Sequence, residues 1–387
     1  MTEETSEAGG TEGAAPDGEP RPDPVPLLDL SDDIEARESE YMEAIRAVVR
    51  SGQFILGPAV RGFEERAADH LGAGHAVGVN SGTDALVIGL RALGIGEGDE
   101  VVTPSFTFFA TPESIEMVGA DPVFADIDPH TLNLDPDAVE AAVTDRTAAL
   151  LPVHLFGRPA EMDRLLEIAA DHDLAVLEDC AQSFGAPCGG RITGTLGDVG
   201  ACSFFPSKNL GGFGDGGLIV TDDEGIAERA AMLRAHGGRD KYHNETVGYN
   251  SRLDALQAAV LEVKLGRIDQ MNRGRREAAR RYEELLAGMD GVETPGVTEG
   301  HVFHQYTVRI TGGGRDRVRS RLGDAGIGTG VYYPVPCHRL PVYDDREMPD
   351  LPVTEKAAEE VLSLPIWPEI TRAQQERVAE VLEEAVR

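Results

Sequence analysis

The chain has 387 residues, a hydrophobic fraction of 41% and a formal charge of −33, from 35 basic and 68 acidic residues. So large a surplus of carboxylates repels nucleic acid. No apolar run approaches the roughly 20 residues of a membrane helix, and the N-terminus lacks a secretory pattern, so a cytoplasmic protein is expected.

Residues 1–24 hold no aliphatic side chain larger than alanine and read as a disordered acidic tail. Order is expected from Val25, followed by a helix near Ile34–Val49. Short apolar runs then alternate with helical patterns at Ala76–Val79, Glu100–Val102, Pro122–Ala125, Ala149–Val153, Leu174–Leu177, Ala201–Phe204 and Leu218–Thr221. This alternation predicts an α/β domain over residues 25–260 with a mostly parallel sheet, whose ligand lies outside the strand ends. Long helical segments from Leu253 to Ala287 lead into a smaller α+β domain over residues 261–387. There the sequence predicts a strand at Phe303–Ile310, a helix at Asp316–Ala325, an extended Val331–Pro334 and a closing helix from Thr371.

Chemistry concentrates in the first domain. Lys208 is one of four lysines in a strongly arginine-biased chain, and it sits in the small, apolar stretch Ser203-Phe-Phe-Pro-Ser-Lys-Asn209. The strand Leu174–Leu177 delivers Glu178 and Asp179 at its C-terminal end. An aldehyde cofactor held as a Schiff base on a lysine, with a carboxylate keeping its pyridinium nitrogen protonated, uses such a pair. Val79-Asn-Ser-Gly-Thr-Asp84 turns out of a strand into an amphipathic helix. Its free amides and the Ser81 and Thr83 hydroxyls suit a phosphate, as they would an ordinary helix cap. Ser203 is close enough to Lys208 to reach the same phosphate. Pro104-Ser-Phe-Thr-Phe-Phe-Ala-Thr111 offers rings that either stack on a flat cofactor or fill the core. Gln182 is either a donor to a cofactor oxygen or a polar loop residue. The spacing Gly212, Gly214, Gly217 matches G-x-G-x-x-G but precedes a strand instead of a helix, so tight packing beside Lys208 is expected and not a dinucleotide site. Cys180, Cys188, Cys202 and Cys337 match no zinc spacing and read as small buried thiols.

Together, Glu178-Asp-Cys-Ala-Gln-Ser-Phe-Gly185, Ser203-Phe-Phe-Pro-Ser-Lys-Asn209 and Gly248-Tyr-Asn-Ser-Arg-Leu-Asp-Ala-Leu-Gln257 resemble the DegT-type nucleotide-sugar aminotransferases, a branch of the fold-type I pyridoxal-phosphate enzymes, from Val25 onward. The resemblance implies pyridoxal 5′-phosphate bound to Lys208, with Asp179 on the ring nitrogen, Gln182 near the ring oxygen and Phe108 stacked on the ring. It implies phosphate ligands at Gly82, Thr83 and Ser203. Asn250 would reach the phosphate of a neighbouring subunit, making a homodimer with shared sites. Glutamate would donate its amino group to a nucleoside-diphosphate keto sugar, and His304, Tyr306, Tyr333 and His338 resemble positions near that sugar. The stretch Lys208–Gly217 looks more like the branch that aminates C3 than the one that aminates C4. A non-catalytic regulatory member is a further alternative, against which the full set Asp179, Gln182, Ser203 and Lys208 argues. The charge suggests a salt-rich cytoplasm, although a high-GC genome also favours arginine over lysine.

Overall fold

The structure is a computed structural model that describes residues 23–240 and 242–387. The expected tail lies outside the described residues, apart from Asp23 and Pro24. Val25 is buried and bridges Ile327 in parallel, its N–H donating to the Gly326 carbonyl at 3.0 Å.

All seven apolar runs of the first domain form strands of one sheet among the described residues: β1 His75–Val79, β2 Glu100–Pro104, β3 Asp121–Ala125, β4 Thr147–Leu150, β5 Ala175–Asp179, β6 Val199–Ser203 and β7 Gly217–Thr221. Their spatial order is β1-β7-β6-β5-β4-β2-β3. From β6 across to β3 every pairing is parallel. Only β7 runs against its neighbours, β1 and β6. The central strands are buried along almost their whole length because helices cover both faces of the sheet. On one face lies the helix Gly82–Leu93, whose residues from Ala85 to Leu90 are all buried. The carboxyl ends of β1, β2, β5 and β6 share one edge, and these are the ends that carry Asn80–Thr83, Ser105–Phe108, Asp179 and Ser203. The chain's chemistry is thereby collected at one rim.

The expected first helix spans Ser31–Ser51 and stops at Gly52 in the left-handed conformation, with φ 67°. The long helical region divides at Gly266–Arg267 into Ala255–Leu265 and Ile268–Leu285. The C-terminal part contains an antiparallel sheet of β8 Val292–Glu293, β9 Tyr306–Ile310 and β10 Val361–Leu364. Val25, Tyr282, Phe303, Tyr306 and Trp367 share its core. The strand expected from Phe303 begins at Tyr306, since Phe303 adopts φ 48°. Val331–Pro334 makes no ladder among the described residues, and its Tyr332 and Tyr333 line the cavity described below, while Gly330 bridges Ser363. The helix Pro352–Glu360 and β10 were not anticipated. The closing helix Arg372–Val386 begins where the sequence places it, with Thr371 and Gln374 forming a reciprocal capping box. No helix among the described residues is long and apolar enough to cross a membrane. Cys180, Cys202 and Cys337 are buried, Cys188 is partly so, and all four thiols are free.

Candidate active site

A cavity of about 590 Å³ opens at the carboxyl rim of the sheet. Gly82, Thr83, Phe108, Asp179, Gln182, Ser203 and Lys208 all line it, as do His304 and Tyr333 from the C-terminal part. Residues more than 250 positions apart in the chain thus meet around one space.

One end of the cavity is built for an anion. The helix Gly82–Leu93 points its first, unpaired amides here, capped by the Ser81 hydroxyl, which accepts from the Asp84 N–H at 3.1 Å. A Cβ on Gly82 would stand 2.6 Å from the Ser203 Cβ, so glycine lets the turn lie directly against β6 and brings both hydroxyl-bearing segments to one point. Gly217 seals the other side, where a Cβ would meet the Ser81 carbonyl at 2.2 Å. The glycine-rich stretch beside Lys208 thus serves close packing, as its position before a strand implied. The side chain of Ser251, fully buried, donates to the Asn80 Oδ1 at 3.0 Å and fixes the turn from behind.

At the other end, Asp179 terminates β5 with its carboxylate buried. It accepts from the Thr111 hydroxyl at 2.9 Å and the Ala181 N–H at 3.1 Å. Burial raises its pKa, partly offset by these donors and by the positive charge of Lys208. A carboxylate in this state is stabilised by a cation set against it, so the site fits a protonated pyridine nitrogen. Loss of solvation lowers the Lys208 amine to about 8, with Asp179 opposing the shift. That amine lines the cavity and makes no hydrogen bond or ion pair among the described residues, which suits covalent attachment to an aldehyde. The Gln182 amide is oriented by its oxygen, which accepts from the Phe156 N–H at 2.6 Å, while its nitrogen donates to the Tyr333 hydroxyl at 3.1 Å and retains a second hydrogen. Phe108 is 60% exposed at the mouth, 6.2 Å between ring centroids from Tyr333. A large ring left in solvent at the mouth of a cavity is a stacking surface in need of a partner. His304 is held neutral by burial and by the charges of Lys208 and Arg275, and its Nδ1 has no partner.

Three sequence-derived candidates stand outside this cavity. Tyr306 is buried in the C-terminal core, where its hydroxyl donates to Glu283 at 2.8 Å. Its ring packs there against Tyr282 and Phe303. His338 is also buried and is occupied by Ser105 and Glu355. Asn250 is exposed, bridges Ala235 and accepts from Arg252, away from its own chain's cavity. Conversely, sequence reasoning gave no role to Thr111 or to the buried His154–Glu178 pair, 2.9 Å apart. The Glu178 carboxylate also accepts the Gly194, Leu196 and Gly197 N–H groups; against the burial that raises its pKa, His154 first and then these amides hold it low. An acidic residue directly before Asp179 was the available signal, but its partners lie elsewhere in the chain.

A model of the DegT/DnrJ/EryC1/StrS aminotransferase family matches residues 35–383. A pleiotropic regulatory protein of Geobacillus stearothermophilus is 47% identical over 94% of the chain and 99% of its own length. A UDP-N-acetyl-3-dehydro-α-D-glucosamine 3-aminotransferase of Acidithiobacillus ferrooxidans is 43% identical over 92% of this chain and 97% of its own. Among solved structures, Streptomyces venezuelae DesV in complex with a ketimine intermediate superposes with a TM-score of 0.91 at 47% identity, covering 94% of this chain and 99% of that one.

Proposed function

The chain belongs to the DegT/DnrJ/EryC1/StrS aminotransferase family, and from that premise we propose that it moves the amino group of glutamate to C3 of a nucleoside-diphosphate 3-keto sugar, using pyridoxal 5′-phosphate. The observation that carries the reading is the meeting of Lys208, Asp179 and the free helix N-terminus at Gly82 in one cavity. Bound pyridoxal 5′-phosphate would supply a carbon that takes up and returns an amino group, and a conjugated ring that accepts the electron pair left when a substrate C–H proton departs.

The protein's part is positional and electrostatic. The Gly82 and Thr83 amides and the Thr83 and Ser203 hydroxyls would anchor the phosphate. Asp179, held by Thr111 and Ala181, would keep a proton on the ring nitrogen, and the remaining Gln182 hydrogen is available to a ring oxygen. Phe108 would cover one ring face and exclude water from it. With a pKa near 8, Lys208 can both take a proton from the substrate carbon and return one near neutral pH. His304 and Tyr333 face the substrate side as neutral hydrogen-bonding groups.

The single-chain cavity holds no arginine, although glutamate and a nucleoside diphosphate are both polyanions. Phe108 and Phe205 are exposed at its mouth. Both facts support a homodimer in which Asn250 of each chain serves the site of the other.

The C3 assignment is supported by the character of Lys208–Gly217 and by the C3-specific name of the Acidithiobacillus relative. The reaction is tested in reverse, by offering 3-amino and 4-amino nucleotide sugars with 2-oxoglutarate and measuring glutamate. Glutamate should form from the 3-amino compounds, and Lys208→Ala should abolish it. Formation from the 4-amino compounds alone would move the reaction to C4. No glutamate from either, with cofactor bound, would favour the regulatory role that the Geobacillus relative's name suggests.

A further inference from the structure

His338 leaves the cavity only to join its walls. Its Nδ1 lies 2.6 Å from the Ser105 Oγ and its Nε2 3.3 Å from the Glu355 carboxylate. The Glu355 carboxylate can only accept, so the neutral ring carries its proton on Nε2 and its Nδ1 accepts the Ser105 hydroxyl hydrogen, while the Ser105 Oγ accepts the His338 backbone N–H at 3.0 Å. A serine, a histidine and a glutamate in line resemble a hydrolytic triad, but Ser105 has no exposed surface, so no substrate carbonyl can reach it. The arrangement must therefore act through what it holds. Ser105 follows β2 and leads into Thr107, Phe108 and Thr111. His338 belongs to the segment that carries Tyr333. Two further bonds join the same segments: Cys337 N–H to the Ser105 carbonyl at 3.0 Å, and Cys337 Sγ to the Thr107 carbonyl at 3.4 Å. From Thr107 the chain continues through its hydroxyl to that of Thr111 at 2.9 Å, and from there to Asp179 at 2.9 Å.

We propose that Ser105, His338 and Glu355 form a clasp that fixes the Phe108–Thr111 wall against the Tyr333 segment, making Ser105 and His338 positioning residues for the transamination proposed above, on which this inference rests. Without the His338 side chain, the wall that carries both the stacking ring and the hydroxyl that orients Asp179 keeps the Cys337 contacts, the His338 backbone N–H bond to Ser105 and the ring contacts of Phe106 and Phe108 with Tyr333, but loses the link from Ser105 through the imidazole to Glu355. A bound ring would then lose its fixed tilt, and misplacement on that scale slows chemistry more than it weakens binding.

The test compares His338→Leu, which removes both bonds, with His338→Asn, whose side chain still accepts from Ser105, and with Glu355→Gln. Three readouts are used: visible circular dichroism of the bound cofactor, kcat separately from KM, and the rate at which Cys337 is alkylated, located by peptide mapping. His338→Leu should cut kcat by about tenfold to a hundredfold with a smaller change in KM, alter the dichroism and expose Cys337. His338→Asn should recover most of all three. A folded His338→Leu protein with unchanged kcat and dichroism would overturn the proposal. If that variant does not fold, Glu355→Gln and Ser105→Ala decide it by the same readouts. Wild-type protein that binds no pyridoxal phosphate would instead defeat the function itself, leaving Cys337 reactivity to show whether the clasp exists.

Discussion

Lys208 illustrates how burial turns a common side chain into a reagent. The free side chain titrates at 10.5 and the folded one at about 8, so below pH 8 folding retains a desolvated cation at a cost of up to about 3 kcal/mol, less to the extent that cavity water reaches the amine. The penalty is fully present below the folded value and disappears as pH rises to the unfolded one, because only the unfolded chain binds the proton in between. Cofactor-free Lys208→Met should therefore be more stable than the parent at pH 7, with the difference vanishing near pH 10.5. Chemical denaturation at both pH values checks this, and a variant destabilised at pH 7 would contradict it. The site keeps this destabilising residue because the same desolvation makes the amine available as a nucleophile.

At the scale of elements, the phosphate cradle depends on how closely one turn approaches one strand. Gly82→Ala would push its methyl to 2.6 Å from the Ser203 Cβ. The backbone there is already helical, so the strain comes from contact and not from a disallowed dihedral angle. The turn must withdraw from β6, parting the Thr83 and Ser203 hydroxyls. Cofactor affinity should fall by roughly tenfold or more, about 1.4 kcal/mol, while the cofactor-free protein keeps its far-ultraviolet dichroism and loses little stability. Fluorescence titration with pyridoxal phosphate measures the change, and unchanged affinity in a folded variant would show that the close approach is not what shapes the site. The same logic explains the helix Gly82–Leu93: its apolar face anchors it on the sheet, which leaves its N-terminal amides fixed in direction at the rim.

For the whole molecule, the −33 charge sets the terms of assembly. Two such chains repel one another, and screening weakens that repulsion once the Debye length drops from about 10 Å at 0.1 M salt to about 3 Å at 1 M. Apolar side chains such as Phe108 and Phe205 at the cavity mouth gain from burial under either condition. The proposed dimer should therefore tighten between about 0.1 and 1 M potassium chloride, as sedimentation equilibrium would show. Loosening with salt would mean that attractive ion pairs, and not apolar contacts, hold the subunits together.

The sequence by itself determined the sheet, because each strand is built on a short apolar run, and a run of that kind needs no distant partner to be recognised. It also placed Lys208, Asp179, Gly82, Thr83 and Ser203, since all five lie on or directly after those strands. Phe108, Gln182 and His304 were named with an alternative open, and the exposure of Phe108, the orientation of the Gln182 amide and the unpaired Nδ1 of His304 appear only in three dimensions. Tertiary structure alone decided that Thr111 holds Asp179, that Glu178 is paired with His154, that Tyr306 faces the C-terminal core and that His338 clasps Ser105. Each of these facts is a contact between segments from 23 to 233 residues apart. Local periodicity records which face of an element is buried, but it carries no information about which distant residue will be buried against it.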